Sequence, residues 1–125
     1  MSRPFSPREK QLLQHLATQG QNADILMAQI EAARYDGAWF PGSQSFEIAT
    51  DTDVSPYWSG EDIGGGRQIG PGCTVRVDGS LPDSESNYIG EVFLWIVDGR
   101  LSALEYSWVT EDMPTELPRL DQLAT

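Results

Sequence analysis

The chain has 125 residues with 19 Asp and Glu against 8 Lys and Arg, a formal charge of −11. That length supports one domain with a modest core and excludes two, and 39% apolar with 22% charged residues excludes a disordered chain. A pI near 4.2 speaks against direct contact with nucleic acid or an anionic membrane, which both need positive charge, and the single Cys73 excludes an internal disulfide framework and suits a reducing cytoplasm.

No apolar run approaches the roughly 20 residues of a membrane span, and the opening MSRPFSPREK does not read as a signal peptide. A cytoplasmic protein is expected. Ser6-Pro7-Arg8-Glu9 spells a helix start: Ser6 can accept from the Glu9 amide while the Glu9 carboxylate reaches back, and Pro7 stands where its missing N–H costs nothing. Leu12, Leu13, Leu16 and Ala17 mark one apolar face, and Gly20 ends the helix. A second helix starts at Asn22 with Ile25, Leu26, Ile30 and Ala33 inward, and ends near Asp36-Gly37. The short connection through Gln21 makes the two an antiparallel pair.

Strand patterns follow. Ser45 to Thr50 alternates, with Phe46 and Ile48 on one side. Residues 51–72 read as a long loop with six glycines, two prolines and an exposed Tyr57-Trp58. Thr74 to Val77 is a short strand. Tyr88 to Val97 and Arg100 to Val109 are long apolar runs joined by Asp98-Gly99, the pair favoured in a type I′ two-residue turn. A regular ladder from that turn places Ile96 opposite Leu101, Leu94 opposite Ala103 and Val92 opposite Glu105. Glu91 then faces Tyr106 on the other side. The tail from Thr110 reads as an ordered loop held by Leu117, Leu120 and Leu123.

The charge is unevenly spread. Residues 1–40 are neutral, and residues 41–125 hold four arginines and fifteen carboxylates, the whole excess of −11. This is either a solubility surface or a docking surface for a basic partner, which acidic groups on one face would steer and select.

Catalytic chemistry finds little support. His15 is the only histidine, so triads and His-rich metal sites lack a second member. Cys73 follows Gly-Pro-Gly in acidic surroundings and reads as a buried, inert thiol. Asp51-Thr52-Asp53 and Glu61-Asp62 could offer oxygen ligands to a hard cation but lack the calcium-loop pattern. Gly64-Gly65-Gly66-Arg67 lacks the lysine and hydroxyl of a phosphate loop. Glu105, placed among Val92, Leu94 and Ile96, is either a general acid or base or a paired structural carboxylate. Glu91 falls on the opposite face, which weakens a catalytic pair. Neither metal nor cofactor is expected. Trp58, in a Gly- and acid-rich loop, has the composition of an interface anchor.

The stretch Gly90-Glu91-Val92-Phe93-Leu94-Trp95-Ile96-Val97-Asp98-Gly99-Arg100-Leu101-Ser102-Ala103-Leu104-Glu105-Tyr106-Ser107-Trp108, continuing through Thr110-Glu111-Asp112-Met113-Pro114, resembles a C-terminal signature of small bacterial proteins without established activity, many of them actinobacterial. The opening Arg8-Glu9 with Leu12, Leu13 and Leu16 resembles the same family. Relatives with a Cys-rich segment differ here, where Trp39-Phe40-Pro41-Gly42-Ser43 takes its place. Small acidic proteins of this type are frequent among immunity proteins paired with bacterial toxins.

The expected fold is α+β: two N-terminal helices (1–37) packed on a twisted antiparallel sheet of about four strands (38–125) centred on the Asp98-Gly99 turn, in a single domain over 1–125. The expected function is a non-catalytic, immunity- or antitoxin-like protein that occludes the basic active site of a toxin such as a nuclease. Asp51, Asp53, Glu61, Asp62, Glu111, Asp112 and Glu116 would meet the partner, with Tyr57 or Trp58 as anchor. A housekeeping adaptor or small-ligand-binding regulatory domain is the alternative.

Overall fold

The computed structural model describes residues 2–51, 53–57, 66–82 and 84–124. Its class is α+β. Helix α1 spans Pro7–Ala17 and α2 Ala23–Ala32. The strands are β1 (Arg34–Ala38), β2 (Phe46–Ala49), β3 (Arg67–Arg76), β4 (Tyr88–Val97), β5 (Arg100–Trp108) and the two-residue β6 (Leu123–Ala124). They form one antiparallel sheet in the order β1-β2-β5-β4-β3-β6.

Helix α1 begins as its residues dictate. The Glu9 amide donates to Ser6 Oγ at 3.2 Å and the Ser6 amide to Glu9 Oε1 at 2.7 Å, closing a capping box. Arg3 grips the same carboxylate through two bonds of 2.9 and 2.8 Å. Partial burial works to raise the Glu9 pKa, but the bonds from Arg3 and Ser6 and the Arg3 charge outweigh it. The carboxyl therefore titrates below its ordinary value near 4.5. A depressed folded pKa adds stability that is present above the unfolded value and lost as pH falls through the folded one. Glu9→Gln should cost about 1 kcal/mol at neutral pH, the scale of a helix cap. In thermal melts the two proteins should converge in acid well below pH 4.5.

Leu12, Leu13, Leu16 and Ala17 of α1 and Leu26 and Ile30 of α2 join Val75, Val92, Leu94, Ile96, Leu101, Leu104 and Tyr106 in one buried cluster. Both helices thus cover one face of the sheet. Along β4 the alternation is plain: Gly90, Val92, Leu94 and Ile96 are buried, while Glu91, Phe93, Trp95 and Val97 point to the other face.

Three expectations need correction. The sheet has five strands of four to ten residues plus the two-residue β6, instead of about four. Helix α2 ends at Ala32, and Asp36-Gly37 lies within β1, at a bulge where Gly37 takes φ +118°. A strand therefore starts inside the stretch assigned to the helical pair. The loop expected over 51–72 gives way to β3 from Arg67. That strand accommodates Gly70 and Pro71 in a bulge, where a residue lacking an N–H is tolerated.

Strands β4 and β5 flank Asp98 and Gly99, which have φ of +50° and +79°. Val97 pairs with Arg100 and Ile96 with Leu101, after which a bulge at Ser102 shifts the ladder: Trp95 meets Ala103, Leu94 meets Leu104, Phe93 meets Glu105 and Glu91 meets Ser107. One extra residue turns every later side chain to the opposite face. Leu104 and Tyr106 enter the core, and Glu105 moves out of it. The bulge removes the conflict in the regular ladder, which would have buried a carboxylate among Val92, Leu94 and Ile96 at a cost of several kcal/mol.

Candidate functional site

The sheet face opposite the helices carries an unusual surface. Across one row stand Glu47 of β2, Ala103 of β5, Trp95 of β4 and Ile69 of β3, aligned by their strand pairing. In the next row Glu105 pairs with Phe93, and beyond it Ser107 pairs with Glu91. The β1–β2 connection adds Trp39 and Phe40, held where the Trp39 amide donates to the Ser45 carbonyl at 3.1 Å. Trp39 is 37% exposed, Phe40 44% and Ile69 61%. Large apolar groups left open together on a small acidic protein mark a contact surface better than isolated ones do.

Two grooves meet at Trp39 and Phe40. The larger, about 660 Å³, is lined by Glu47, Arg67, Trp95, Ser102 and Ala103. The smaller, about 250 Å³, reaches Glu105, Ser107 and Trp108. The Trp95 indole Nε1–H donates to Glu105 Oε1 at 2.8 Å, so the half-buried carboxylate holds the ring in place. Phe93 packs edge-on against Trp95 with centroids 5.6 Å apart, and the Arg67 guanidinium lies 4.0 Å above the Trp95 centroid. Arg67 is itself anchored: Gly66 donates to Asp98 Oδ1 at 2.7 Å and receives the Asp98 amide at 2.9 Å. Glu47 and Glu91 make no ion pair among the described residues.

No family model, curated protein or solved structure matches this chain.

Among the described residues, the acidic groups expected to meet a partner do not form one surface. Asp51 and Asp53 are exposed and bonded to each other, Asp53 N to Asp51 Oδ1 at 3.1 Å. They follow β2 where Thr50 Oγ1 reaches the Leu101 carbonyl, the Asp98-Gly99 end of β5. Glu111, Asp112 and Glu116 are exposed beyond the other end, past Trp108. Nine residues of strand, about 30 Å, separate the two groups. Asp112 and Glu116 also share their groove with Arg8 and Arg119, which blunts their attraction for a cation.

Tyr57 is no exposed anchor. It is 1% exposed, its amide donates to the Gly99 carbonyl at 2.7 Å, and its ring runs under the end of α1 beside Gly20. Burial pushes its phenol pKa up. Trp58, Glu61 and Asp62 lie outside the described residues. Cys73 is buried, and burial raises its thiol pKa, as expected of an inert packing residue. Among the described residues no group of three or more His, Cys, Asp or Glu could hold a metal ion, and no helix is long and apolar enough to cross a membrane.

The bulge at Ser102 also removes the ground on which Glu91 and Glu105 were separated. Both lie on the open face, diagonal to one another. They border different grooves, Glu91 one with Ile69 and Gly72, Glu105 one with Trp39 and Trp108. Glu105 is tied to the Trp95 indole and Glu91 is exposed to solvent.

The residues missed by sequence reasoning are Trp39, Phe40, Glu47, Arg67 and Trp95. For Glu47 and Trp95 the signal was the outward half of each strand's alternation, whereas Trp39 and Phe40 lie in the β1–β2 connection and Arg67 at the first position of β3, where no alternation marks them.

Proposed function

We propose that the chain is a non-catalytic acidic binding protein of the immunity or antitoxin kind, acting in the cytoplasm to occlude the basic active-site groove of a bacterial toxin domain. A nuclease is the leading partner, because its active site keeps a cationic groove for phosphates. The reading rests above all on the helix-free sheet face, where Trp39, Phe40, Phe93 and Trp95 stand among Glu47, Glu91 and Glu105. Aromatic anchors inside a rim of like charge supply contact area and steer a partner of opposite charge. The net charge of −11 favours the same encounter at long range.

The test is a titration of the full chain against a panel of basic nuclease toxin domains, followed by tryptophan fluorescence and by nuclease activity. At least one domain should bind and lose activity, with affinity falling as salt rises. Binding that stays flat with ionic strength, or no inhibition across the panel, would overturn the proposal.

A second reading, the small-ligand regulatory domain, is favoured by one observation. The groove at Trp39 and Trp95, about 660 Å³, falls within the size range of small-molecule sites. A metabolite raising the melting temperature by mass action would identify it.

A further inference from the structure

We infer that the Trp95 indole is a platform for a single arginine side chain of the partner, and that Arg67 occupies this platform in the free protein. The inference rests on the proposed docking of a basic partner and names the chemistry of the central contact. Arg67 already displays the fit: its guanidinium sits 4.0 Å above the Trp95 centroid in an exposed position. A planar guanidinium stacks on an indole face better than the compact ammonium of lysine does.

The surroundings strengthen the platform for a cation. Glu105 accepts the Trp95 Nε1–H at 2.8 Å, which pushes electron density into the ring and deepens its attraction for positive charge. Glu47 lines the same groove with no ion pair among the described residues, and Trp39 and Phe40 close one side. An arginine entering over Ala103 would thus have an aromatic floor, an aromatic wall and a free carboxylate. Ala103 contributes the room, since a larger side chain between Glu47 and Trp95 would fill the row. Among the described residues lining the groove, Arg67 is the cation that opposes such a guest, by charge and by position. Exchange of one stacked guanidinium for another keeps the face soluble and closed to apolar contacts until the right partner arrives. A second copy of this chain is a poor guest, because it would bring −11 against −11.

The experiment follows the tryptophan indole N–H signals by NMR while acetyl-arginine amide is added to the full chain. The acetyl-citrulline amide, of the same shape without charge, serves as control. The arginine probe should shift the Trp95 signal and the citrulline probe should not. Arg67→Ala, a surface change that leaves the fold intact, should bind the probe roughly three- to fivefold more tightly, the scale of one exposed cation–π contact. Trp95→Leu should abolish the response of the Trp39 signal, and Glu47→Gln should weaken binding by a similar factor. Equal response to citrulline, an unchanged Arg67→Ala variant, or a Trp95 signal that moves on diluting the free chain, as for a self-associated face, would each overturn the inference. The two proposals fail separately. A toxin domain that binds wild type and Arg67→Ala alike would leave the docking and remove the platform. A responsive probe without any responsive toxin domain would do the reverse.

Discussion

Replacing Gln29 by leucine should destabilise the protein by about 1–3 kcal/mol, the cost of one buried amide left without its acceptor, although the two side chains are of similar size. Gln29 is 0% exposed, on the face of α2 that meets the sheet. Its Nε2 donates to the carbonyls of Ser55 at 2.8 Å and Gly99 at 2.9 Å, and its Oε1 accepts from the Leu101 amide at 2.8 Å. One side chain thereby joins α2, the segment leading to Tyr57 and the first residues of β5. Leucine would leave the buried Leu101 amide without its acceptor, at about 1–3 kcal/mol, whereas Ser55 is exposed and its carbonyl can turn to water. The Gly99 carbonyl keeps its bond from the Tyr57 amide. Urea unfolding should show a lower midpoint with an unchanged slope, the mark of lost stability rather than altered compactness. Gln29→Glu separates the cause from packing. It keeps the acceptor and loses donors, and burial raises its folded pKa, so the variant's stability should fall as pH rises through the range between its unfolded and folded values. Equal stability of wild type and Gln29→Leu would mean that water satisfies these groups.

Gln29 also shows how far a sequence pattern can be read. Leu26, Ile30 and Ala33 announce the inner stripe of α2, and position 29 falls on that stripe by the same three-and-four spacing. A glutamine there gives no sign of whether it is a buried hub or the edge of the stripe, because its partners are backbone groups some 26 to 72 residues away. The capping box of α1 was legible because both partners are local. The strands were legible in kind but not in extent. Asp36-Gly37 carries the marks of a helix stop and serves as a bulge in β1, and Gly70-Pro71-Gly72 carries the marks of a loop and lies inside β3.

The open face was misread for one physical reason. Register is set by the whole sheet, and a single extra residue at Ser102 reverses the orientation of everything after it. With the regular ladder Glu105 looked buried and Glu91 looked separate from it. With the bulge they share a face, and Trp95 gains its carboxylate.

Gly90→Ala should be the most damaging glycine-to-alanine change among the described residues, costing about 4 kcal/mol or yielding no folded protein. Gly90 is buried in β4, opposite Trp108 of β5 and Val75 of β3. A Cβ there would run into the Ser107 carbonyl oxygen and stand 2.8 Å from Trp108 Cα and 2.9 Å from the Ser107 carbonyl carbon. These are backbone atoms of a paired strand, so no rotamer change relieves the collision. The strands must part, breaking the Val109 amide bond to the Ile89 carbonyl and loosening the ladder that holds Glu91 and Glu105 on the open face. Gly37→Ala is the informative contrast. Gly37 has φ +118° with nothing within 4 Å of a built Cβ. That variant meets only backbone strain, about 1 kcal/mol. Paired thermal melts should therefore place Gly37→Ala a few degrees below wild type. Gly90→Ala should lie far below both. A Gly90→Ala melt close to that of Gly37→Ala would show that β4 and β5 can separate at their open end without loss of the core. The close approach at Gly90 would then not be what sets which residues the sheet offers to a partner.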